Sequence, residues 1–167
     1  DHAAREQAYA RLTVEARRQR VGTVLYAPHL RAGRGQRQHV NVWIHDRSPD
    51  WRLSMDIGNL DLSLLLAYKL KRNWDGLIRL ITVVDEAEAE RARHFLDRLI
   101  DLARLPDATP VVGTGAFRAF VPTAPHADLN LLGLMPDPDF DVMRGMVTTL
   151  GASCLFVRDS GDENALA

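Results

Sequence analysis

Leucine recurs so often in residues 60–74 (LDLSLLLAYKLKRNW) that the first two turns have almost no polar face. The stretch predicts a helix, with Asn59 as its N-cap and cations in its last turn. A helix that is apolar on nearly every side must be covered on more than one side. Two interpretations fit: a well-buried internal helix, or a helix that faces a partner. In the second, the partner-facing residues are Leu62, Leu65, Leu66 and Lys69.

Short apolar runs elsewhere in the chain predict strands, and helical patterns lie between them. The predicted strands are residues 40–44, 77–84, 108–113, 129–134 and 153–158. The further predicted helices are residues 86–105 with Asp85 as their cap, one or two turns at 116–121, and residues 137–150. This alternation predicts an α/β fold that is doubly wound. We expect a five-stranded, mostly parallel sheet in the order 3-2-1-4-5, with helices on both faces.

A helix-strand unit precedes this pattern. Residues 2–20 contain good helix formers without Gly or Pro, and residues 21–27 are β-branched and aromatic, which predicts a short strand. The inner stripe of the helix is expected to be alanine-rich, formed by Ala4, Ala8, Leu12 and Ala16.

Residues 31–38 (RAGRGQRQ) are polar and contain two glycines. They open no helix, so the pattern indicates a solvated connector rather than a phosphate-binding loop. The connector divides the chain into residues 1–37 and residues 38–167. At the other end, the acidic residues 159–167 are expected to form a loosely held tail.

Composition limits the function classes. The 167 residues suit one domain, and a net charge of −1 argues against a nucleic-acid partner. The single cysteine, Cys154, lies in an apolar run and is expected to be a small core residue. No apolar run approaches the roughly 20 residues that span a bilayer. Because the chain begins at Asp1 without methionine, we expect it to be a piece of a longer protein.

The default ligand site of such a sheet is the crevice where the strand order reverses. The residues expected to line it are Asp46, Arg47, Trp51, Asp56, Met135, Asp137 and Asp139. This acidic rim suits a cation better than a phosphate, although helix capping and loop solvation explain the same carboxylates. The histidines lack ligand spacing and the serines lack a nucleophile-elbow context. We therefore predict no catalytic residue, no metal, no cofactor and no enzyme activity.

Three segments together resemble the C-terminal cytosolic domain of the cation–chloride cotransporter family. They are the strand Val40-Asn41-Val42-Trp43-Ile44, the leucine-rich helix ending at Asn73-Trp74, and the strand Arg79-Leu80-Ile81-Thr82-Val83. The closing run, residues 153–158 (SCLFVR), is similar to the last strand of the prokaryotic members, which are permease-like or Na–K–Cl cotransporter-like proteins.

The resemblance implies a fold related to universal stress proteins, on the cytoplasmic face of the membrane and attached to the membrane domain of the same polypeptide. It also implies a homodimer that regulates transport, and it makes residues 1–37 the end of a preceding subdomain. Asp46 is not followed by the two glycines found in animal members, and Gly133 is not followed by the stress-protein nucleotide motif, so ATP binding is disfavoured. We predict a non-catalytic regulatory and dimerisation domain of a secondary transporter. The alternative is a stand-alone, stress-protein-like domain that binds a small ligand or a nucleotide.

Overall fold

The structure is a computed structural model that describes residues 2–45 and 59–166. Helices and strands alternate through most of this part of the chain. In chain order they are α1 (His2–Arg18), β1 (Thr23–Ala27), β2 (His39–Trp43), α2 (Asp61–Trp74), β3 (Leu77–Val84), α3 (Ala89–Leu102), β4 (Thr109–Thr114), α4 (Phe117–Phe120), β5 (Leu129–Gly133), α5 (Phe140–Leu150) and β6 (Ser153–Arg158).

The strands form one mixed sheet in the order β1-β6-β5-β2-β3-β4. Strands β2 to β6 pair in parallel with their neighbours, and β1 pairs antiparallel with β6. Strand β2, which is buried from Val40 to Trp43, lies inside the sheet, and β4 with Pro110 lies at its edge. The α/β class predicted from the alternating pattern is confirmed.

The predicted count of five strands is wrong, because β1 adds a sixth strand to the sheet. Its register runs from Thr23 opposite Arg158 to Ala27 opposite Cys154. Without β1, the backbone groups of β6 would form an open sheet edge, and pairing with β1 satisfies them. Strand β1 therefore shares a sheet with residues 38–167, while the division of the chain into two units stays a prediction.

Two apolar layers lie on the two faces of the sheet. Alternation along β2 directs Val40 and Val42 to the layer under α2 and α3, and it directs Trp43 to the layer under α5. The second layer also contains a buried polar contact, in which the Trp43 indole Nε1 donates to Asn130 Oδ1 at 3.0 Å. Cys154 is fully buried in this layer, which confirms its role as a core residue.

Helix α1 does not pack through the predicted alanine stripe. Its one buried residue is Thr13, whose hydroxyl donates to the Ala10 carbonyl, whereas Leu12 is 64% exposed. Small alanines contribute little area to any face. Helix α1 instead contacts α5: Arg144 forms an ion pair with Glu6, and the Tyr9 and Phe140 ring centroids lie 6.5 Å apart.

The connector before β2 has exposed side chains, as predicted, but its backbone is held in place. The Asp128 carboxylate accepts hydrogen bonds from the backbone N–H groups of Gln36 at 2.7 Å and of Gln38 and His39 at 2.9 Å each. These donors are therefore occupied within the chain, which agrees with a connector rather than a phosphate cradle.

Helix α3 begins later than predicted, at Ala89, after a 3-10 turn at Glu86–Glu88. Asp85 precedes that turn but makes no side-chain capping hydrogen bond, so its predicted capping role is wrong. Among the helices of the described residues, none is long and apolar enough to cross a membrane.

Candidate functional site: the outer face of helix α2

The inner face of α2 packs against the sheet, mainly over β2, β5 and β6. Leu64 and Ala67 are fully buried there, and Leu60, the residue before the first turn, is buried as well. Side chains three or four positions apart share a helix face, so these residues form a single contact stripe. Burial of a leucine of this kind stabilises the fold by about 1.5–3 kcal/mol.

The N-terminus of α2 is capped by the chain's own tail. The Asp159 carboxylate accepts hydrogen bonds from the backbone N–H of Asp61 at 2.9 Å and of Leu62 at 3.1 Å. Asn59 was predicted to be the N-cap, but its side chain instead accepts from Asp159 N and donates to Val157 O. A carboxylate suits this position because the helix dipole is positive there.

The tail continues across α2 beyond this cap. Asp61 is buried, and its Oδ1 accepts a hydrogen bond from Ala165 N at 2.6 Å. Glu163 accepts hydrogen bonds from the backbone N–H and the hydroxyl of Ser160. The expectation of a loosely held tail is therefore wrong over residues 159–166, because the tail satisfies backbone groups that the start of α2 leaves open.

Burial sets the electrostatics of this junction. It raises the pKa of Asp159 to about 6, the carboxylates of Asp61 and Glu163 add to that rise, and the two capping N–H groups oppose it. Burial also acts to raise the pKa of Glu163, but the hydrogen bonds from Ser160 and Gly161 outweigh it and lower that pKa. The pKa values of Asp159 and Glu163 are thus shifted in opposite directions.

The outer face of α2 consists of the four residues predicted to meet a partner. Leu62, Leu65 and Leu66 are half-buried and Lys69 is exposed. Helical spacing places this set on the side of α2 opposite Leu64 and Ala67, and Leu66 at its border also packs against the core. The fold covers them only in part, and whether a partner covers the remainder stays a prediction.

A groove of about 700 Å³ flanks this face, between α2 and the C-terminal end of α3. Its floor is apolar and its rim is charged: Lys71 Nζ lies 3.4 Å from Asp107 Oδ2, and Arg72 lies over the Tyr68 ring at 5.9 Å. The groove is lined by Leu64, Leu65, Tyr68, Ile100, Asp101, Ala103, Arg104, Leu105, Pro106, Asp107, Asn164 and Ala165.

The predicted crevice at the reversal of strand order is only partly described. Asp46, Arg47, Trp51 and Asp56 lie outside the described residues. On the other side of the crevice, Asp137 and Met135 are exposed, and Asp139 caps α5 by accepting from the N–H groups of Asp141 and Val142. The one described carboxylate with a defined role is therefore a helix cap.

The described residues offer little reactive chemistry. No cluster of three or more His, Cys, Asp or Glu side chains that could hold a metal ion occurs there. Burial raises the pKa of the Cys154 thiol to about 12, which leaves it protonated and unreactive at neutral pH.

Two carboxylates that hold the backbone were not predicted from the sequence. Asp159 and Asp128 act on backbone groups that lie about a hundred residues earlier in the chain. The only local signal was that each aspartate directly adjoins a strand, Asp159 after β6 and Asp128 before β5. An aspartate beside a strand fits a solvated loop just as well, so this signal did not reveal either contact.

Comparisons with known proteins agree with this architecture. The family model described as prokaryotic cation-chloride cotransporter, C-terminal domain, 2nd, matches residues 35–166. The crystal structure of the cytoplasmic domain of a prokaryotic cation chloride cotransporter is similar over 97% of this chain, with 36% sequence identity and a TM-score of 0.88. This chain spans 62% of the length of that solved chain. No curated protein matches the sequence significantly. The chain belongs to the family of prokaryotic cation–chloride cotransporter C-terminal domains.

Proposed function

We propose that this chain is a cytosolic regulatory domain of a cation–chloride cotransporter-like secondary transporter, that it has no catalytic activity, and that it self-associates through the outer face of α2. The observation that carries the proposal is the half-burial of Leu62, Leu65 and Leu66 on the side of α2 opposite Leu64 and Ala67. Apolar area of this kind gains free energy when a second surface covers it.

A twofold dimer would suit such a face, because each copy presents the same patch to the other. Helix α2 has 14 residues and is therefore about 21 Å long. At a helix diameter of about 10 Å, one such face supplies roughly 200 Å². An interface of the standard roughly 800 Å² per partner would therefore also include the flanking groove and neighbouring surface. Lys69 and Arg72 would lie at the rim, where charged side chains are tolerated.

We further propose that the domain lies at the cytoplasmic face of the membrane, beside membrane helices of the same polypeptide that hold the ion sites. Support comes from the family of this chain and from the relative that is described as a cytoplasmic domain. In this arrangement the chain binds no ion itself. Dimerisation of the domain would set the distance between the membrane domains of the two subunits, and it would regulate transport in this way.

Sedimentation velocity at increasing concentration tests the self-association. We expect the sedimentation coefficient to rise from a monomer value to a dimer value. Leu65→Glu should keep the chain monomeric, and Lys69→Glu, at an exposed site, tests the same face without disturbing the core. The matched controls are Val142→Glu on α5, on the opposite face of the sheet, and Arg93→Glu on α3. A strict monomer at high concentration would contradict the proposal.

The alternative, a stand-alone domain that binds nucleotides, makes a different prediction. Titration calorimetry with ATP should give no binding heat if the domain is a scaffold. Tight binding of ATP would favour the alternative and weaken the proposed function.

A further inference from the structure

The loop of residues 28–38, named the arginine loop here, is folded back on itself. His29 and Gly33 form an isolated antiparallel bridge, in which Gly33 N donates to His29 O at 3.0 Å. The His29 ring also accepts from Ala32 N at 3.0 Å. Ser153 at the start of β6 then fixes the turn, since its hydroxyl accepts from His29 N and donates to Gly33 O. The first half of the loop is therefore a closed, anchored turn.

The second half is anchored by Asp128, which accepts from three backbone N–H groups of residues 36–39. Gly35 has a φ of +57°, and a Cβ at this position would lie 2.2 Å from Asp128 Oδ1. Only glycine fits this approach, so the loop is shaped for one conformation. The conformation does not serve to bind an anion through its backbone, because Asp128 already occupies those donors.

The anchored loop presents an apolar tip surrounded by cations. Leu30 is 98% exposed, which makes it the most exposed large apolar side chain of the described residues. Arg31, Arg34 and Arg37 are all exposed, and residues 28–38 contain no acidic side chain. Single exposed apolar residues are common. An apolar residue held at the tip of an anchored cationic turn, however, is placed to enter an apolar environment such as the interfacial layer of a membrane.

The same edge of the molecule carries further cations. Leu77 N donates to Gln38 O at 2.7 Å, so the loop adjoins the C-terminal end of α2 with Lys69, Lys71 and Arg72. Acidic residues at this edge are fewer, and Asp107 is engaged by Lys71. They are Asp75, Asp101, Asp107 and Asp128, and the Asp128 carboxylate is bound by the loop backbone.

The opposite edge of the sheet carries acidic side chains at the helix N-termini and in the tail, and several of them pair with arginines. They include Glu86, Glu88, Asp137, Asp139, Asp141 and Asp162. The net charge of the chain is only −1, so the basic character of the arginine loop is local.

We propose that the arginine loop docks on an anionic lipid bilayer, with Leu30 entering the interfacial layer and Arg31, Arg34 and Arg37 pairing with lipid phosphates. This inference rests on the proposed function, which places the domain beside a membrane. Leu30 favours a lipid surface over a nucleic acid, and the loop has no Phe, Tyr or Trp on which bases could stack. Basic clusters next to membrane segments bind anionic lipids through the same attraction.

Co-sedimentation of the full chain with vesicles tests the inference. We expect binding to mixed phosphatidylcholine and phosphatidylserine vesicles that weakens as salt is added, and much weaker binding to pure phosphatidylcholine. Arg34→Gln should lower the partition coefficient about five-fold, since each cation near an anionic lipid surface strengthens binding by about that factor. Leu30→Ser should lower the partition coefficient by at least as much, because burial of a leucine side chain contributes more free energy than one surface cation.

The controls are Arg93→Gln on α3 and Val142→Ser on α5, which should bind vesicles like the unaltered chain. Equal binding by Leu30→Ser, by Arg34→Gln and by the unaltered chain would overturn the inference. So would an absence of binding to anionic vesicles, or binding to duplex nucleic acid in its place. Sedimentation without vesicles separates the two proposals: a dimer that ignores vesicles overturns only the lipid contact, and a monomer that binds them overturns only the self-association.

Discussion

Asp159 caps helix α2 at Asp61, a residue 98 positions earlier in the chain, through a 2.9 Å hydrogen bond from the Asp61 backbone N–H. The contact joins the end of the last strand to the start of the most leucine-rich helix. Because the outer face of α2 begins at Leu62, the cap also fixes where the proposed interaction surface starts.

Removal of this cap should destabilise the fold. Asp159→Ala removes the acceptor from two helix N–H groups, and we expect a loss of about 1 kcal/mol in the free energy of unfolding. Asp159→Asn keeps an oxygen acceptor and removes a charge that lies near Asp61 and Glu163. It should therefore change the free energy of unfolding little at pH 7. Urea unfolding measures both. Asp162→Ala, in the exposed pair with Arg20, is the control and should change stability by less than about 0.5 kcal/mol.

The pH dependence of stability should carry the signature of Asp159. Its pKa in the folded chain is about 6, against an ordinary value of 3.8, so the folded state binds the proton more tightly than the unfolded state. The stability that this proton provides is fully present below about pH 4 and is lost as the pH rises through about 6. Urea midpoints from pH 4 to pH 8 should therefore fall more steeply for the unaltered chain than for Asp159→Asn. If the urea midpoints of the two proteins fell in parallel with pH, Asp159 would not be the source of the pH dependence.

The contribution of Asp128 to stability should depend on pH in the opposite direction. Burial acts to raise its pKa, but the hydrogen bonds from Gln36, Gln38 and His39 outweigh burial and lower the pKa. Its contribution is present above pH 3.8 and is lost as the pH falls through the lowered value. The difference in stability between the unaltered chain and Asp128→Asn should shrink only in strong acid.

The arginine loop should depend on the same carboxylate. Asp128→Ala leaves three backbone donors without their partner, and we expect a loss of about 2–3 kcal/mol together with faster hydrogen exchange at residues 36–39. Gly35→Ala should reproduce the faster exchange, because its Cβ would collide with Asp128 and its φ is positive. Gly145→Ala, in α5 where a Cβ meets no atom within 4 Å, is the matched control. Unchanged exchange in Gly35→Ala would contradict the clamp.

Local patterns predicted the parallel part of the fold well. The bounds of β3 and β6 agree with the apolar runs at 77–84 and 153–158, since a strand buried on both faces has a continuous apolar sequence. The likeness to cation–chloride cotransporters, which was read from residues around β2, α2 and β3, is confirmed by the family match.

Contacts between distant parts of the chain could not be predicted in this way. The pairing of β1 with β6 depends on which edge is free after the other strands have assembled, and no local signal in residues 21–27 encodes that. The predicted packing face of α1 was wrong for a related reason, because α1 contacts α5 through Glu6 and Tyr9, which are distant in sequence from α5. The crevice residues from Asp46 to Asp56 lie outside the described part, so that site stays a prediction.

The distance between two spin labels at Lys69→Cys tests the proposed pairing of α2 faces most directly. The native Cys154 is fully buried, and burial raises its pKa to about 12, so labelling should be selective for position 69. Packed helices lie about 8–10 Å apart and α2 is about 21 Å long, so the account predicts a label separation within about 25 Å. Val142→Cys on the opposite layer should give a longer separation. An absence of dipolar coupling at position 69, or a shorter separation at position 142, would contradict the account.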